Sequence, residues 1–256
     1  MILAWLCYYD ALIALAAVIA GIGCAHFGLT RPFFGFQLML IGLAFAALSI
    51  LCGLIAVPLT YFSPKRRIAF GRSVLGFVLA LAILTPVGLI IYKTRQFPLI
   101  NDITTDTQKP PEFVKAGQLP ANRGRDMAYD PHLAAIQNGA AAYKNLAPLK
   151  MNLSPDQAYK RAEILAGEVP TWRITRNDQK ALILEGVATS ELFKFKDDFI
   201  IEVRPAPGGG SLVEMRSKSR DGKGDFGVNY RRITSFLKVL NAGPQPAPTA
   251  GAPPLP

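Results

Sequence analysis

Long apolar runs fill the first third of the chain and are absent from the rest. Three runs, residues 1–25, 33–57 and 68–92, each exceed the roughly 20 residues that an α-helix needs to cross a bilayer. The charged residues within 1–92 are Asp10, Arg31, Lys65, Arg66, Arg67 and Arg72. This pattern predicts three transmembrane helices. The first run lacks the positive start and the A-x-A site of a cleaved signal peptide, so we expect it to be retained.

Shorter patterns follow in the polar part of the chain. Residues 93–130 are polar and broken by prolines, which predicts an extended connector. A helix is expected over 131–145. A second helix begins at Ser154, which forms a capping-box pattern with Gln157 around a proline at the first helical position. Segments rich in β-branched and aromatic residues then predict four strands, at 171–176, 181–188, 198–204 and 211–217.

A final amphipathic helix completes the predicted soluble domain. Its apolar positions are Val228, Ile233, Phe236, Leu237 and Leu240. In the third strand, apolar residues alternate with Glu202 and Arg204, which favours a sheet with one face in water. The order helix, four strands, helix predicts an α+β fold, a two-layer sandwich of an antiparallel sheet and helices. The predicted parts are a three-helix transmembrane anchor (1–92), the connector (93–130), the α+β domain (131–241) and a Pro-rich disordered tail (242–256).

The net charge of +10 is unevenly distributed. Residues 1–100 hold seven Lys or Arg and one acid, a balance of +6, whereas 101–256 hold 21 and 17, a balance of +4. The excess flanks the apolar helices, so we expect no nucleic-acid partner. Basic residues 65–67 lie in a short loop and predict that this loop faces the cytoplasm. Three spans then place the C-terminal domain across the membrane, in the periplasm if the anchor lies in a bacterial inner membrane.

Few residues suggest classical catalysis. The cysteines Cys7, Cys24 and Cys52 all lie in the apolar third, so the soluble part has no thiol nucleophile and no zinc–thiolate cluster. The two histidines, His26 and His132, lie far apart in the sequence. We therefore expect no metal and no cofactor, and we assign no catalytic residue.

Two charged residues lie inside the predicted spans. Asp10 and Arg72 are each a few residues from a helix end, roughly 6–10 Å deep at 1.5 Å per residue. In the predicted topology both are near the cytoplasmic edge. An intramembrane ion pair between them is one interpretation, and snorkelling to the interface is another. A proton or ion pathway is the functional alternative.

Residues 222–227, GKGDFG, match the pattern G-x-G-x-x-G. A dinucleotide site also requires a returning parallel strand and an acidic residue about 20 positions further on. The predicted elements include no strand after the final helix. We therefore interpret the segment as a tight turn from strand to helix, with Asp225 near the helix N-terminus, where its charge suits the helix dipole.

The densest polar pattern lies between residues 191 and 232. It reads F-x-F-x-D-D, then a hydrophobic strand, then R-S-x-S-R-x-G-x-x-D-x-G-x-N-x-x-R. The residues that fill it are Phe193, Phe195, Asp197, Asp198, Arg216, Ser217, Ser219, Arg220, Gly222, Asp225, Gly227, Asn229 and Arg232. Together with NDITTDTQKPPEF at 101–113, this pattern resembles the domain-of-unknown-function family numbered 1499, in its membrane-anchored bacterial branch. The resemblance covers about residues 101–240 and implies no particular reaction.

The hairpin of the third and fourth strands brings the polar motif residues to one end of the predicted sheet. One interpretation is a buried network, in which Asp197 or Asp198 pairs with Arg216 or Arg220. The other is a pocket for an anionic ligand, formed by the arginines, the serines and the helix N-terminus. The candidate residues are Asp197, Asp198, Arg216, Ser217, Ser219, Arg220, Asp225, Asn229 and Arg232.

These patterns lead to two functional hypotheses. The first is an integral inner-membrane protein whose periplasmic domain binds or scaffolds envelope components. The alternative is an enzyme that acts on an anionic or envelope-derived substrate at the Arg216–Arg232 cluster. The expected partners are membrane lipid and either an envelope protein or a small anionic ligand. A closed, fully paired network would favour the first hypothesis, and a ligand-sized concavity the second.

Overall fold

The computed structural model describes residues 1–243 and divides them into two compact units. Most of the predicted disordered tail, from residue 244 onwards, lies outside the described residues. The first unit consists of Met1–Arg95 together with Ser190–Phe195, and the second of Gln96–Thr189 with the chain from Lys196 onwards. Each unit is described separately below.

Three helices form most of the first unit: α1 (Ile2–His26), α2 (Pro32–Tyr61) and α3 (Arg67–Thr94). All three are long and apolar enough to cross a membrane, which agrees with the three predicted spans. A 3₁₀ turn, Pro64–Arg66, separates α2 from α3.

Small residues bring the three helices close together. The buried positions of α2 include Gly35, Gly42 and Ser49, spaced seven residues apart. A β-carbon at Gly21 would lie 2.5 Å from the carbonyl oxygen of Gly35, and one at Gly76 would lie 2.5 Å from that of Cys7. The backbones therefore approach to distances that only glycine permits, as is common where helices pack inside membranes.

The segment Ser190–Phe195 completes the first unit. The rings of Phe193 and Phe195 lie 5.6 Å and 6.0 Å from that of Phe36, measured between centroids. The ring nitrogen Nδ1 of His26 lies 3.1 Å from the carbonyl oxygen of Glu191. The two phenylalanines of the sequence motif thus have a packing role.

The second unit is an antiparallel sheet with helices. Its strands are β1 (Asp102–Thr104), β2 (Leu149–Met151), β3 (Trp172–Asp178), β4 (Ile183–Thr189), β5 (Lys196–Pro205) and β6 (Ser211–Ser219). The order is β1-β6-β5-β4-β3, and β2 also pairs with β6. The four predicted strands are present with ends displaced by up to two residues, which confirms the α+β class. The two three-residue strands, β1 and β2, were not predicted.

Four helices accompany the sheet: α4 (Lys115–Gln118), α5 (Pro131–Gly139), α6 (Pro155–Glu168) and α7 (Val228–Ala242). The predicted capping box at the start of α6 is present, because Ser154 and Gln157 exchange hydrogen bonds between side chain and backbone. The helix expected over 131–145 is shorter: α5 ends at Gly139, and a separate 3₁₀ turn, Ala141–Tyr143, follows.

Helices α6 and α7 bury one face of the sheet. Phe199, Ile201 and Val203 of β5 belong to this core. The ring centroid of Trp172 lies 4.2 Å from that of Phe199 and 5.2 Å from that of Phe236. Burial of these apolar side chains stabilises the packing of the helices against the sheet.

The opposite face of the sheet is also buried over most of its area, so the predicted sheet with one wet face is wrong. Ile200, Glu185 and Arg216 form one cross-strand row on this face and are fully buried. Residues 105–130, predicted as a connector, contribute the contacts described below. Near the β5–β6 turn Glu202 and Arg204 remain partly exposed, and at the other end of the sheet Lys196 is exposed.

Glu185 shows how the predicted connector is attached to this second face. Its carboxylate accepts hydrogen bonds from the backbone amides of Val114, Lys115 and Ala116, at 3.2, 2.9 and 2.8 Å. These amides begin α4, where helical N–H groups have no intrahelical partner. Arg176 donates a fourth hydrogen bond, at 3.1 Å. A buried acid on β4 therefore fixes the start of a helix that the sequence pattern did not reveal.

Candidate functional site

The most deeply buried charge pair joins β1 to β6. Arg216 donates from Nε and Nη2 to the two carboxylate oxygens of Asp102, both at 2.8 Å, and both side chains are almost fully buried. Lys218 adds a third donor to the same carboxylate, at 2.8 Å. Arg216 also donates to the carbonyl oxygens of Pro111, at 3.2 Å, and Met127, at 2.9 Å. Four of the five guanidinium N–H groups therefore have acceptors within the domain.

Aromatic rings enclose the same guanidinium. The central carbon of the Arg216 guanidinium lies 4.8 Å from the ring centroid of Phe113 and 5.2 Å from that of Tyr129. Burial, together with the charge of Asp102, raises the pKa of the Tyr129 hydroxyl. Asp102 was not among the predicted site residues, although it lies in the segment 101–113 that carries the family resemblance. A strand of three residues shows no clear periodicity, so the sequence carries no signal for β1. Asp102 could therefore not be placed beside Arg216 from the sequence alone.

A second pair lies at the start of β5. Arg220 donates to both oxygens of Asp198, at 3.0 and 2.6 Å, in the bidentate geometry that arginine forms with carboxylates. Asn122 donates to the same carboxylate at 2.9 Å, and Arg125 lies 3.4 Å from it. Arg125 also donates to the carbonyl oxygen of Ser219, at 2.7 Å. The predicted pairing of Asp198 with Arg220 is present, and it extends to residues of the predicted connector.

A third cluster lies on the helix-covered face, because neighbouring strand residues point to opposite faces. Arg232 of α7 donates to Asp197 at 2.5 Å and to the hydroxyl of Ser217 at 2.9 Å. Ser217 donates to the side-chain oxygen of Asn229 at 2.7 Å, and Asn229 donates to the hydroxyl of Ser219 at 2.9 Å. This chain of hydrogen bonds ties the last helix to β5 and β6.

The GKGDFG segment forms the turn that begins α7. The Asp225 carboxylate accepts hydrogen bonds from the amides of Gly227, at 2.8 Å, and Asn229, at 2.7 Å, as expected at a helix N-terminus. Burial raises the pKa of this carboxyl, and the two amide hydrogen bonds oppose that shift. Gly227 has a φ of +77°, and a β-carbon there would lie 2.6 Å from the ring of Phe97. The glycine thus serves a left-handed turn and close packing.

The predicted ion pair between Asp10 and Arg72 is not formed. The Arg72 guanidinium lies over the ring of Trp5, 3.7 Å from its centroid. Asp10 is buried in the helix bundle, and its Oδ2 has no hydrogen-bond partner within residues 1–243. The buried face of α3 includes Ser73 and Gly76. Arg72 is about 100° around the helix from Ser73, so its side chain lies outside that buried face.

The candidate residues thus form a connected framework whose charges face inward. The motif arginines Arg216, Arg220 and Arg232 each bind a buried acid. Within residues 1–243, no group of three or more His, Cys, Asp or Glu side chains is placed to hold a metal ion. A surface depression of about 620 Å³ over the β3–β4 turn is lined by residues 176–180 and involves none of the candidate residues.

A comparison with models of known protein families gives a match to this domain. The model of the family described as protein of unknown function (DUF1499) matches residues 102–240, which is more than half of the chain. The chain belongs to this family. The match begins at Asp102, the partner of Arg216, and ends at Leu240 in α7, so the DUF1499 domain includes the whole sheet and most of the predicted connector. Comparison with curated proteins gives no match.

The pairing of Asp198 with Arg220 leads to a stability prediction. Arg220→Ala leaves the fully buried Asp198 without its bidentate partner. Breaking a buried pair from one side costs roughly 3–5 kcal/mol, so the thermal midpoint of the full-length protein in detergent should fall markedly. Arg123→Ala, which removes an exposed arginine, is the matched control and should stay within about 0.5 kcal/mol of the unsubstituted protein. Equal midpoints for the two variants would show that the pair contributes no stability.

Proposed function

We propose that this protein is an integral protein of a bacterial inner membrane whose DUF1499 domain lies in the periplasm and acts as a binding or scaffolding module. Three helices with the length and hydropathy of membrane spans support the anchor. The basic residues 65–67 lie between the second and third of these helices, where short loops favour the cytoplasmic side. An odd number of spans then carries the domain to the other side.

The proposal of a non-catalytic role rests on the buried acids that pair with the motif arginines. An anionic substrate would need to meet at least one free cation among Arg216, Arg220 and Arg232. Each of these side chains is at most 11% exposed and binds a carboxylate at 2.8 Å or less. A substrate would therefore have to displace an acid and leave that acid buried without its partner, at a cost of several kcal/mol. The network supports a rigid framework better than an anion pocket.

A rigid framework is useful to a module that presents its surface to a partner. The network joins residues of the predicted connector, two strands and the last helix through buried hydrogen bonds, and such networks fix a single arrangement when every member is satisfied. The partner that fits the proposal is an envelope component, which would bind to the exposed loops and strand edges of the domain. No reaction has to be assigned to the motif residues.

Reporter fusions test the topology. Alkaline phosphatase folds into an active enzyme only in an oxidising compartment, so a fusion at the end of the chain should be active. The same reporter inserted after Ser63, between α2 and α3, is the matched control and should be inactive. The reverse pattern, with the Ser63 fusion active and the C-terminal fusion inactive, would place the domain in the cytoplasm and refute the periplasmic proposal.

Thermal unfolding in the presence of anions tests the role of the domain. A ligand that binds only the folded state raises stability by RT ln(1 + [L]/Kd), about 2.7 kcal/mol when its concentration is 100 times Kd. Inorganic phosphate, compared with sodium chloride at equal ionic strength, should give no specific rise in the midpoint of the full-length protein. A phosphate-specific rise that Arg220→Gln abolishes, and that Arg123→Gln leaves intact, would support the enzyme hypothesis instead.

A further inference from the structure

Apolar side chains project from one turn of the DUF1499 domain. The turn between β6 and α7 exposes Phe226 and, at its end, Val228, with 53% and 37% of their surfaces accessible. Leu99, 72% exposed, packs against Gly224 of the same turn and fills the space where a β-carbon of that glycine would lie. Single exposed apolar residues are common on protein surfaces, but here three large ones are concentrated on one turn and on the residue packed against it, as is typical of surfaces that bind a partner.

The backbone holds this turn in a strained and well-defined conformation. Phe226 has a φ of +52°, a left-handed conformation that is unusual for a bulky residue. On either side of it, the Asp225 carboxylate binds two backbone amides and Gly227 packs under the ring of Phe97. Strain of this kind persists where the surroundings enforce it, and it is concentrated at functional sites. The phenylalanine is held in a conformation that presents its ring to solvent.

Positive charge accompanies the apolar patch. Lys223 is exposed within the turn and Arg231 in the first helical turn of α7, and the turn also exposes the acid Asp221. The guanidinium of Arg231 lies 5.8 Å from the centroid of the Phe97 ring. Apolar and aromatic side chains flanked by basic ones are typical of segments that lie in the interfacial layer of an anionic membrane.

The covalent chain limits how far this turn can lie from the bilayer. Helix α3 ends at Thr94, and Phe97, three residues later, packs against Gly227. Three extended residues span at most roughly 10 Å. Phe97 also contacts Tyr143 and Tyr230, with ring centroids 5.8 Å and 5.5 Å away, so it is anchored in the domain. The turn is therefore held within reach of the headgroup layer that surrounds the end of α3.

We propose that the turn at residues 221–228 is a membrane-docking surface. Phe226, with Leu99 and Val228, enters the interfacial layer of the bilayer that holds the anchor, while Lys223 and Arg231 bind the headgroups of anionic phospholipids. The proposal requires that α3 spans the membrane, but it does not depend on which leaflet the domain faces or on the scaffolding role. Docking would fix the orientation of the domain on the membrane surface.

Tryptophan fluorescence of the full-length protein in lipid nanodiscs tests the proposal. Phe226→Trp places a reporter in the turn, and Ile164→Trp, at a residue of α6 that is 54% exposed, is the matched control. The native Trp5 and Trp172 are subtracted with the unsubstituted protein. Nanodiscs contain either phosphatidylcholine alone or a mixture with phosphatidylglycerol, each with and without brominated acyl chains. Val228→Trp replaces Phe226→Trp if the latter lowers the thermal midpoint.

For Phe226→Trp, the expected result is a blue-shifted emission that brominated lipid quenches, and the quenching should be stronger in nanodiscs that contain phosphatidylglycerol. The emission of Ile164→Trp should not be quenched. In the anionic nanodiscs, Lys223→Gln and Arg231→Gln should each lower the ratio of docked to undocked domain about fivefold, because that is the usual contribution of one basic residue to binding an anionic membrane surface. If the emission maximum of Phe226→Trp stays at the wavelength of a water-exposed tryptophan in every lipid, the proposal is overturned. A blue shift without bromine quenching would also overturn it and would indicate a protein contact.

Discussion

The ion pair of Asp102 and Arg216 is the interaction on which the domain depends. Both side chains are excluded from water, and they meet through two hydrogen bonds of 2.8 Å. Removing two charges from water costs several kcal/mol each, which only good geometry and further hydrogen bonds offset. The carbonyl oxygens of Pro111 and Met127 accept two further hydrogen bonds, so the segment that follows the three apolar helices has to fold across the sheet for Arg216 to form them.

Buried ion pairs between distant segments also organise the rest of the family motif. Asp198 faces the side of the sheet that residues 105–130 cover, and Asp197 faces the helices, so one dipeptide bonds to both layers. Because each acid meets an arginine from a different segment, the sheet, the last helix and the segment after α3 are joined at fixed points. This explains how a motif so rich in charge can be buried inside the domain. Its polar groups neutralise one another.

Local patterns in the sequence identified the regular elements well. The three apolar helices, the Ser154 capping box and four strands each have a short-range signature, and all are present. The hairpin argument also brought Asp198 and Arg220 together, because pairing register follows from the strands and their turn.

Features that depend on distant segments were not predictable in the same way. The three-residue strand β1 is too short to show alternation, so Asp102 could not be placed opposite Lys218 and beside Arg216. The burial of the second face of the sheet comes from residues 105–130, which have little regular structure. The pairing of Asp10 with Arg72 failed because equal depth in a membrane does not specify the direction in which a side chain points around its helix.

A double-mutant cycle on Asp102 and Arg216 tests the central claim most directly. The free energy of unfolding would be measured for Asp102→Asn, Arg216→Met and the double variant of the full-length protein. Each single change leaves a buried group without its partner, so the double variant should be about 2–3 kcal/mol less destabilised than the sum of the single effects. A parallel cycle with Asp102→Asn and Lys238→Ala, at an exposed position, should be additive. Additive effects for Asp102 and Arg216 would contradict the account.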